Sequence, residues 1–156
     1  MNVTRRTILT AAPAISLVAC VGQTTTQLQS DVNAIDTGLQ SIVTDLAATP
    51  GISVPAATMA EIKTTLDNIH TDAAQIAAVA TPSQTAVQVF SDTVSALVPL
   101  LTPFFPQVPA VAATVQAAVT LVQVVIAQVS PSKVAAVDPA QAAYARLVLR
   151  GAALRS

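Results

Sequence analysis

The residue types that most often carry chemistry are scarce in this chain, and they do not cluster. His70 is the only histidine, and Asp67 stands three residues before it, so the two side chains share one face if this segment is helical. Glu61 and Asp72 lie in the same segment. A metal site needs three or four ligands in a closed geometry, so one imidazole with scattered carboxylates does not predict one. We expect His70 to be a surface residue, with no metal or cofactor bound.

Nucleophiles and phosphate-binding loops are also missing from the pattern. No serine stands in the Gly-x-Ser-x-Gly context of a nucleophile elbow, and the four glycines form no glycine-rich loop. No residue is therefore assigned a catalytic role, and we expect a protein that is not an enzyme. Charged residues make up 10% of the chain and the net charge is −1. The sequence therefore lacks the basic stripe that is typical of a protein that binds nucleic acid, and we expect no such binding.

Cys20 is the only cysteine, and it follows a segment with the layout of an export signal. Arg5 and Arg6 lie in a short polar stretch, which an apolar run over residues 8–19 follows. Twelve helical residues span roughly 18 Å, too short for a bilayer core of about 30 Å, so this run is typical of a signal peptide. An unpaired cysteine in an exported protein needs an explanation, and lipid attachment provides one.

Two motifs in this segment resemble known bacterial signals. Residues 4–9, Thr-Arg-Arg-Thr-Ile-Leu, resemble the twin-arginine export motif. An ordinary positively charged signal, read by the general secretion route, is the alternative interpretation of Arg5 and Arg6. Residues 17–20, which are Leu17, Val18, Ala19 and Cys20, resemble the lipobox of bacterial lipoproteins. That resemblance implies cleavage before Cys20 and a diacylglycerol on its thiol.

The lipoprotein resemblance also implies a location and a division of the chain. Two or three acyl chains on one residue form a durable anchor, whereas a single chain binds a membrane reversibly. The mature protein would then lie in the cell envelope, on the periplasmic face of a membrane. The residue after Cys20 is Val21 and not Asp. In a Gram-negative host, the absence of that Asp resembles the pattern that sorts lipoproteins to the outer membrane. We expect a cleaved signal peptide over 1–19, a lipidated tether over 20–27 and a helical domain over 28–156.

Helical periodicity dominates the mature chain and predicts an all-α fold, a small bundle of four to five helices. Two segments carry apolar residues at unbroken spacings of three and four, which we call apolar seams. A short turn at Pro50-Gly51 joins them and predicts an N-terminal antiparallel helical hairpin. Thr58 and Glu61 match a capping box for the second helix. The two seams consist of Leu28, Val32, Ile35, Leu39, Ile42 and Leu46, then Met59, Ile62, Leu66, Ile69, Ala73 and Ile76.

A third helix is predicted to begin with Thr81 as its cap and Pro82 in its first turn. It is expected to end where prolines recur from Pro99 onward. Its buried face is expected to consist of Val87, Phe90, Val94 and Leu97.

Two more helices are predicted in the last third of the chain. Residues 110–129 are rich in β-branched residues, so 121–129 has the propensity of a strand, but length and periodicity favour a helix. A polar stripe of Gln116, Thr120 and Gln123 is expected on its outer side. The last helix is predicted to begin with Asp138 as its cap and to end near Gly151.

Charge is divided unevenly along the mature chain. Residues 21–132 hold seven acids and one cation, with no charged residue between Thr93 and Ser132. After residue 132 a single acid faces four cations, which are Lys133, Arg146, Arg150 and Arg155. We expect Arg146 and Arg150 to share a solvated helix face near a C-terminus, where cations complement the helix dipole. Contact with lipid headgroups, or with the acidic hairpin of a neighbouring molecule, is the alternative.

These features predict a non-enzymatic, membrane-tethered helical bundle that acts by contact, with a protein partner or as a homo-oligomer. A second hypothesis is a membrane-active protein of the lysis or exclusion type, whose charge-free half, residues 93–132, enters the bilayer. A third is a carrier of a small ligand in an apolar pocket between helices. The mature part also resembles small helical proteins of proteobacterial genomes and prophages that have no assigned role.

Overall fold

The computed structural model describes residues 17–131 and 137–155, with side chains from Thr25 onward. Within these ranges the prediction of an all-α bundle of four to five helices is confirmed. A short 3-10 turn, Thr102–Phe104, joins the third helix to the fourth. The five helices are α1 (Leu17–Ala48), α2 (Ala56–Ala77), α3 (Gln84–Leu101), α4 (Pro109–Val129) and α5 (Pro139–Ala153).

The helices α1 and α2 form the predicted antiparallel hairpin. The Gln29 side-chain amide donates a hydrogen bond to the Ala77 carbonyl at 3.1 Å, and the Gln40 amide donates to the Leu66 carbonyl at 3.3 Å. The position on α2 falls as the position on α1 rises, so the two helices run in opposite directions. Both apolar seams are buried, except that Met59 is only partly buried.

The direction of α4 follows from the grooves that it shares with its neighbours. The end of α4 lines one groove with Thr25 and Leu28 of α1, and another with Gln84 of α3. It therefore runs opposite to both α1 and α3. The first four helices form an up-and-down bundle, and α5 packs outside it against α1 and α4.

The charge-free part of the chain contributes to the core of this bundle. The strand propensity of residues 121–129 is overridden, because α4 is helical throughout Pro109–Val129. Val111, Ala118 and Val125 on its inner face have no exposed surface. The outer stripe is as predicted, with Gln116 and Gln123 exposed and Thr120 partly exposed.

Two helices begin at other residues than predicted. The residue that precedes the first turn of α2 is Pro55, with no side-chain cap. The predicted capping box is wrong, because Thr58 already lies inside the helix and cannot precede it. The predicted Thr81 cap of α3 is also wrong, because α3 begins two residues later. Ser83 caps α3 by accepting a hydrogen bond from the Ala86 backbone N–H at 3.1 Å.

Three helix boundaries extend beyond the predictions. α3 continues through Pro99 to Leu101, where a side chain with no exposed surface holds the last turn in the core. α5 continues past Gly151 to Ala153, and the buried Ala152 accounts for the extra turn. α1 already includes residues 20–27, where we expected a tether. At the end of residues 20–27, the hydrogen bond that the Gln27 side chain donates to Asp31 at 2.9 Å supports the helical conformation.

Candidate functional site

The predicted anchor residue, Cys20, belongs to the N-terminal end of α1, which continues unbroken to Ala48. At Leu17–Cys20 the structure describes the helical backbone, whereas Arg5 and Arg6 lie outside the described residues. The lipobox and the export motif therefore stay predictions. Each helical residue rises 1.5 Å, so Cys20 lies about 16 Å along the helix axis from Asp31.

The side of α1 that faces α5 carries an unusual stripe of residues. Asp31, Gly38 and Asp45 recur at spacings of seven. The first two lie opposite Arg146 and Leu149 of α5, and Asp45 lies opposite Arg155, which follows the last turn of α5. The position on α5 rises together with the position on α1, from Arg146 opposite Asp31 to Leu149 opposite Gly38, and the order continues past α5 with Arg155 opposite Asp45. The first and last helices are therefore parallel. We call Asp31, Gly38 and Asp45 the α5-facing stripe.

The strongest polar contact on this stripe joins Asp31 to Arg146. The Nε of Arg146 donates to Asp31 Oδ1 at 2.7 Å, and its terminal Nη2 donates to Oδ2 at 2.8 Å. Asp31 is only 1% exposed, and Gln27 donates a further hydrogen bond to its Oδ1. The hydrogen bond to Asp31 raises the pKa of the Arg146 guanidinium, against an opposing effect of burial. Both oxygens of this buried carboxylate thus accept hydrogen bonds, two of them from a guanidinium.

Gly38 allows the two helices to approach closely at the centre of the stripe. A Cβ at this position would lie 2.6 Å from Cδ2 of Leu149 and 3.3 Å from the Leu149 backbone Cα. Leu149 itself has no exposed surface. Because the backbone of α5 stands so near, a larger residue at 38 would push the helices apart.

The last contact of the stripe is a weaker ion pair. Arg155 approaches Asp45 with nitrogen–oxygen distances of 3.3 and 3.4 Å, and its Nη1 also donates to the Gly151 carbonyl at 3.2 Å. Such exposed pairs contribute about 0–1 kcal/mol. Arg150 is exposed and forms no ion pair with a described residue. The prediction of a solvated face is therefore right for Arg150 and wrong for Arg146, which binds the acidic hairpin of its own chain.

His70 is on the surface as predicted, but its partner lies on another helix. Its Nδ1 is 2.9 Å from Oδ2 of Asp36 on α1, while 66% of the imidazole side chain stays exposed. The pKa of His70 is raised by the hydrogen bond that its imidazole donates to Asp36 and by the charge of Asp36. Desolvation opposes this shift, and the charge of Asp67 adds the smallest contribution, which also raises the pKa. The second oxygen of Asp36, Oδ1, is buried without a hydrogen-bond partner.

The surroundings of this pair form a shallow groove of about 490 Å³ that Gln40, Asp67 and Ala153 help to line. Within residues 17–131 and 137–155, no three side chains of His, Cys, Asp or Glu lie close enough to share a metal ion. The arrangement can store a proton on His70, and the acidic groups beside the imidazole are Asp36 and Asp67.

Two stretches of the described chain are long and apolar enough to cross a membrane by length and composition alone. They are Gln84–Phe104, with a mean hydropathy of 1.2, and Pro109–Val129, with a mean hydropathy of 2.0. Core helices of water-soluble bundles meet the same criteria. Here the apolar sides of both stretches face the other helices, as the burial of Phe90, Leu97 and Leu121 shows.

The contact between α1 and α5 was missed at the level of the sequence, although a signal for it exists. Asp31, Gly38 and Asp45 repeat every seven residues beside the apolar seam of α1. Two acids on either side of a glycine, along one face of a helix whose other face is apolar, indicate that a second helix with basic side chains packs closely on that face.

Comparison of the chain with protein-family models, with curated proteins and with solved structures finds no match.

Proposed function

We propose that this protein is a lipoprotein of the cell envelope, a non-enzymatic helical bundle held at the periplasmic face of a membrane by lipid on Cys20. The observation that carries the proposal is the lipobox pattern of residues 17–20, which ends a signal-like apolar run at the depth expected for a cleavage site. Lipidation also explains why an exported chain has a single cysteine.

The position of Cys20 in α1 supports a rigid attachment in place of the expected tether. Leu28, the first buried side chain of the described residues, follows Cys20 by eight residues in one continuous helix. Eight residues correspond to about 12 Å of helix. α1 in turn packs against α2, α4 and α5. The bundle is therefore held close to the lipid in a fixed orientation, as suits a protein that acts by contact with a partner or a second copy at the membrane surface.

Sodium carbonate extraction of membranes tests this proposal. The wild-type chain is expected in the membrane pellet, and a Cys20→Ser variant in the soluble fraction. Ser30→Ala is the matched control, because it changes an exposed residue of the same helix outside the lipobox and is expected to stay in the pellet with the wild type. Loss of the wild-type protein from the pellet would contradict the proposal.

The second candidate function, insertion of the α3–α4 region into the bilayer, is favoured by the two apolar stretches described above. Inside the membrane, Gln116 and Gln123 of α4 would need new hydrogen-bond partners, since unsatisfied polar groups in hydrocarbon cost several kcal/mol each. In the bundle both lie on the water-exposed side. Retention of Cys20→Ser in the carbonate pellet would favour insertion over lipid anchoring.

A further inference from the structure

The outer face of α5 exposes the largest apolar side chains that reach solvent in the described part of the chain. Tyr144 is 68% exposed, Leu147 66% and Leu154, which follows the last turn, 88%. Together with Gly151, these three residues follow each other at spacings of three and four, as the buried residues of the α1 apolar seam do. We call Tyr144, Leu147, Gly151 and Leu154 the α5 outer face.

Cations border this apolar face on both sides. On a helix with 100° between residues, Arg150 lies about 60° to one side of Leu147. Arg155 follows the last turn of α5, and the same spacing continued past Ala153 puts it about 80° to the other side. Arg150 has no ionic partner among the described residues, and Arg155 has only the long pair with Asp45. Leucine and tyrosine between flanking arginines form the pattern of a helix that lies in a membrane interface.

We propose that the α5 outer face rests on the surface of a phospholipid bilayer that contains anionic lipid. The charge of the bundle selects this side. Three exposed acids, Glu61, Asp67 and Asp92, lie on α2 and α3 with one exposed cation, Lys63. The exposed acid of α5, Asp138, lies at its start, whereas Arg150 lies near its other end. An anionic surface therefore repels the α2–α3 side more strongly than the α5 side, where Arg150 borders Leu147.

The predicted lipid site lies on the same side of the molecule. Cys20 precedes Gly38 by eighteen residues, which is five full turns of helix. Its backbone position therefore lies on the same side of α1 as the α5-facing stripe. Cys20 is about 16 Å beyond the level of Asp31, whereas α5 begins only about 10 Å beyond Arg146, its partner at that level. The anchor thus lies past the start of α5. This placement takes its biological setting from the proposed lipidation, but contact with the bilayer depends on α5 alone.

The absence of tryptophan from the sequence allows a direct test. We consider residues 20–156 with Cys20→Ser, which contain every buried side chain of the described residues, and introduce Leu147→Trp as a single fluorophore. Val89→Trp on α3 is the matched control, since Val89 is also exposed, at 48%, on a helix that does not contact α5.

With vesicles of phosphatidylglycerol and phosphatidylcholine, the indole emission of the Leu147→Trp variant is expected to move to shorter wavelength and to be quenched by brominated lipid. The emission of the Val89→Trp variant is expected to stay unchanged. Adding Arg150→Gln to the Leu147→Trp variant is expected to weaken vesicle binding about five-fold, because a cation near an anionic surface contributes roughly 1 kcal/mol.

Three results would overturn the proposal. They are no response of the Leu147→Trp variant to vesicles, an equal response of the Val89→Trp variant, and a shift in the Leu147→Trp emission that depends on protein concentration without lipid. The last result would show that a second copy covers the face. The test protein carries no lipid, so these results leave the assignment of Cys20 untouched. In the same way, an unmodified Cys20 in cells would leave the fluorescence result intact.

Discussion

Asp31 and Arg146 are separated by 115 residues in the sequence, yet they form a two-bond ion pair whose carboxylate is 1% exposed. The pair fastens the last helix to the first, the same helix on which the predicted anchor lies. Burial of a charge is tolerated here because both carboxylate oxygens accept hydrogen bonds.

Replacing Arg146 by Met is expected to lower the free energy of unfolding by about 3–5 kcal/mol, because it leaves the Asp31 carboxylate buried without its counter-charge. Urea denaturation followed by circular dichroism at 222 nm measures the change. The double variant Asp31→Leu with Arg146→Met is the control, and it is expected to recover most of the loss since no buried charge remains. A loss in the single variant below about 1 kcal/mol would show that the pair is not effectively buried in solution.

Gly38→Ala is expected to destabilise the protein although alanine is the better helix former. Alanine improves helix propensity by about 1 kcal/mol, but its Cβ would meet Leu149 at 2.6 Å, and overpacking of this kind costs about 1–3 kcal/mol. Gly151→Ala is the matched control, because a Cβ there has no neighbour within 4 Å. It is expected to raise the melting temperature. If both variants are stabilised, the helices α1 and α5 do not approach as closely as described.

The stability of the bundle is expected to depend on pH through His70. The folded-state pKa is raised above 6.5, so the contribution of the protonated pair is complete below the unfolded-state pKa of about 6.5 and is lost as pH rises through the folded-state pKa. An NMR titration measures the folded-state pKa of His70 directly, because the chain has one histidine.

In Asp36→Asn the pKa of His70 is expected to fall toward 6.5, since Asp36 provides both the hydrogen bond and the nearest charge. Asp67→Asn is expected to change it less, because Asp67 acts through charge alone. A wild-type pKa at or below 6.5, or an equal response to the two variants, would argue against the pair with Asp36.

The helix caps offer a comparison between a residue that caps and one that only matches the pattern. Ser83→Ala is expected to lower the free energy of unfolding by about 1 kcal/mol, because the Ala86 N–H loses its acceptor. Thr58→Ala is expected to change it by less than about 0.5 kcal/mol, since Thr58 lies inside α2 and caps nothing. Chemical denaturation of the two variants distinguishes them, and equal losses would contradict the assigned start of α2.

Helices and their buried faces were predictable because they depend on local spacing. The apolar seam from Leu28 to Leu46 indicates one side of a helix, and every residue of that seam is buried. Asp138 was likewise recognisable as a cap, and its side chain accepts a hydrogen bond from the Ala140 N–H at 2.8 Å. These features need only neighbours along the chain.

The pairing of helices was less predictable, because periodicity shows which side is buried but not which helix covers it. The sequence pattern around Arg146 is that of a surface cation, whereas in the fold Arg146 binds the buried Asp31. His70 was matched with Asp67, its neighbour in sequence, whereas its hydrogen-bond partner Asp36 lies 34 residues away. Both partners are long-range contacts that depend on the order in which five helices pack.

The intact mass of the protein extracted from the cell envelope tests lipid attachment at Cys20 most directly. We expect a chain that begins at Cys20 and carries a diacylglyceryl group on its thiol, with or without a further acyl chain on its new amine. A chain that still begins at Met1, or one whose Cys20 thiol is free, would contradict it.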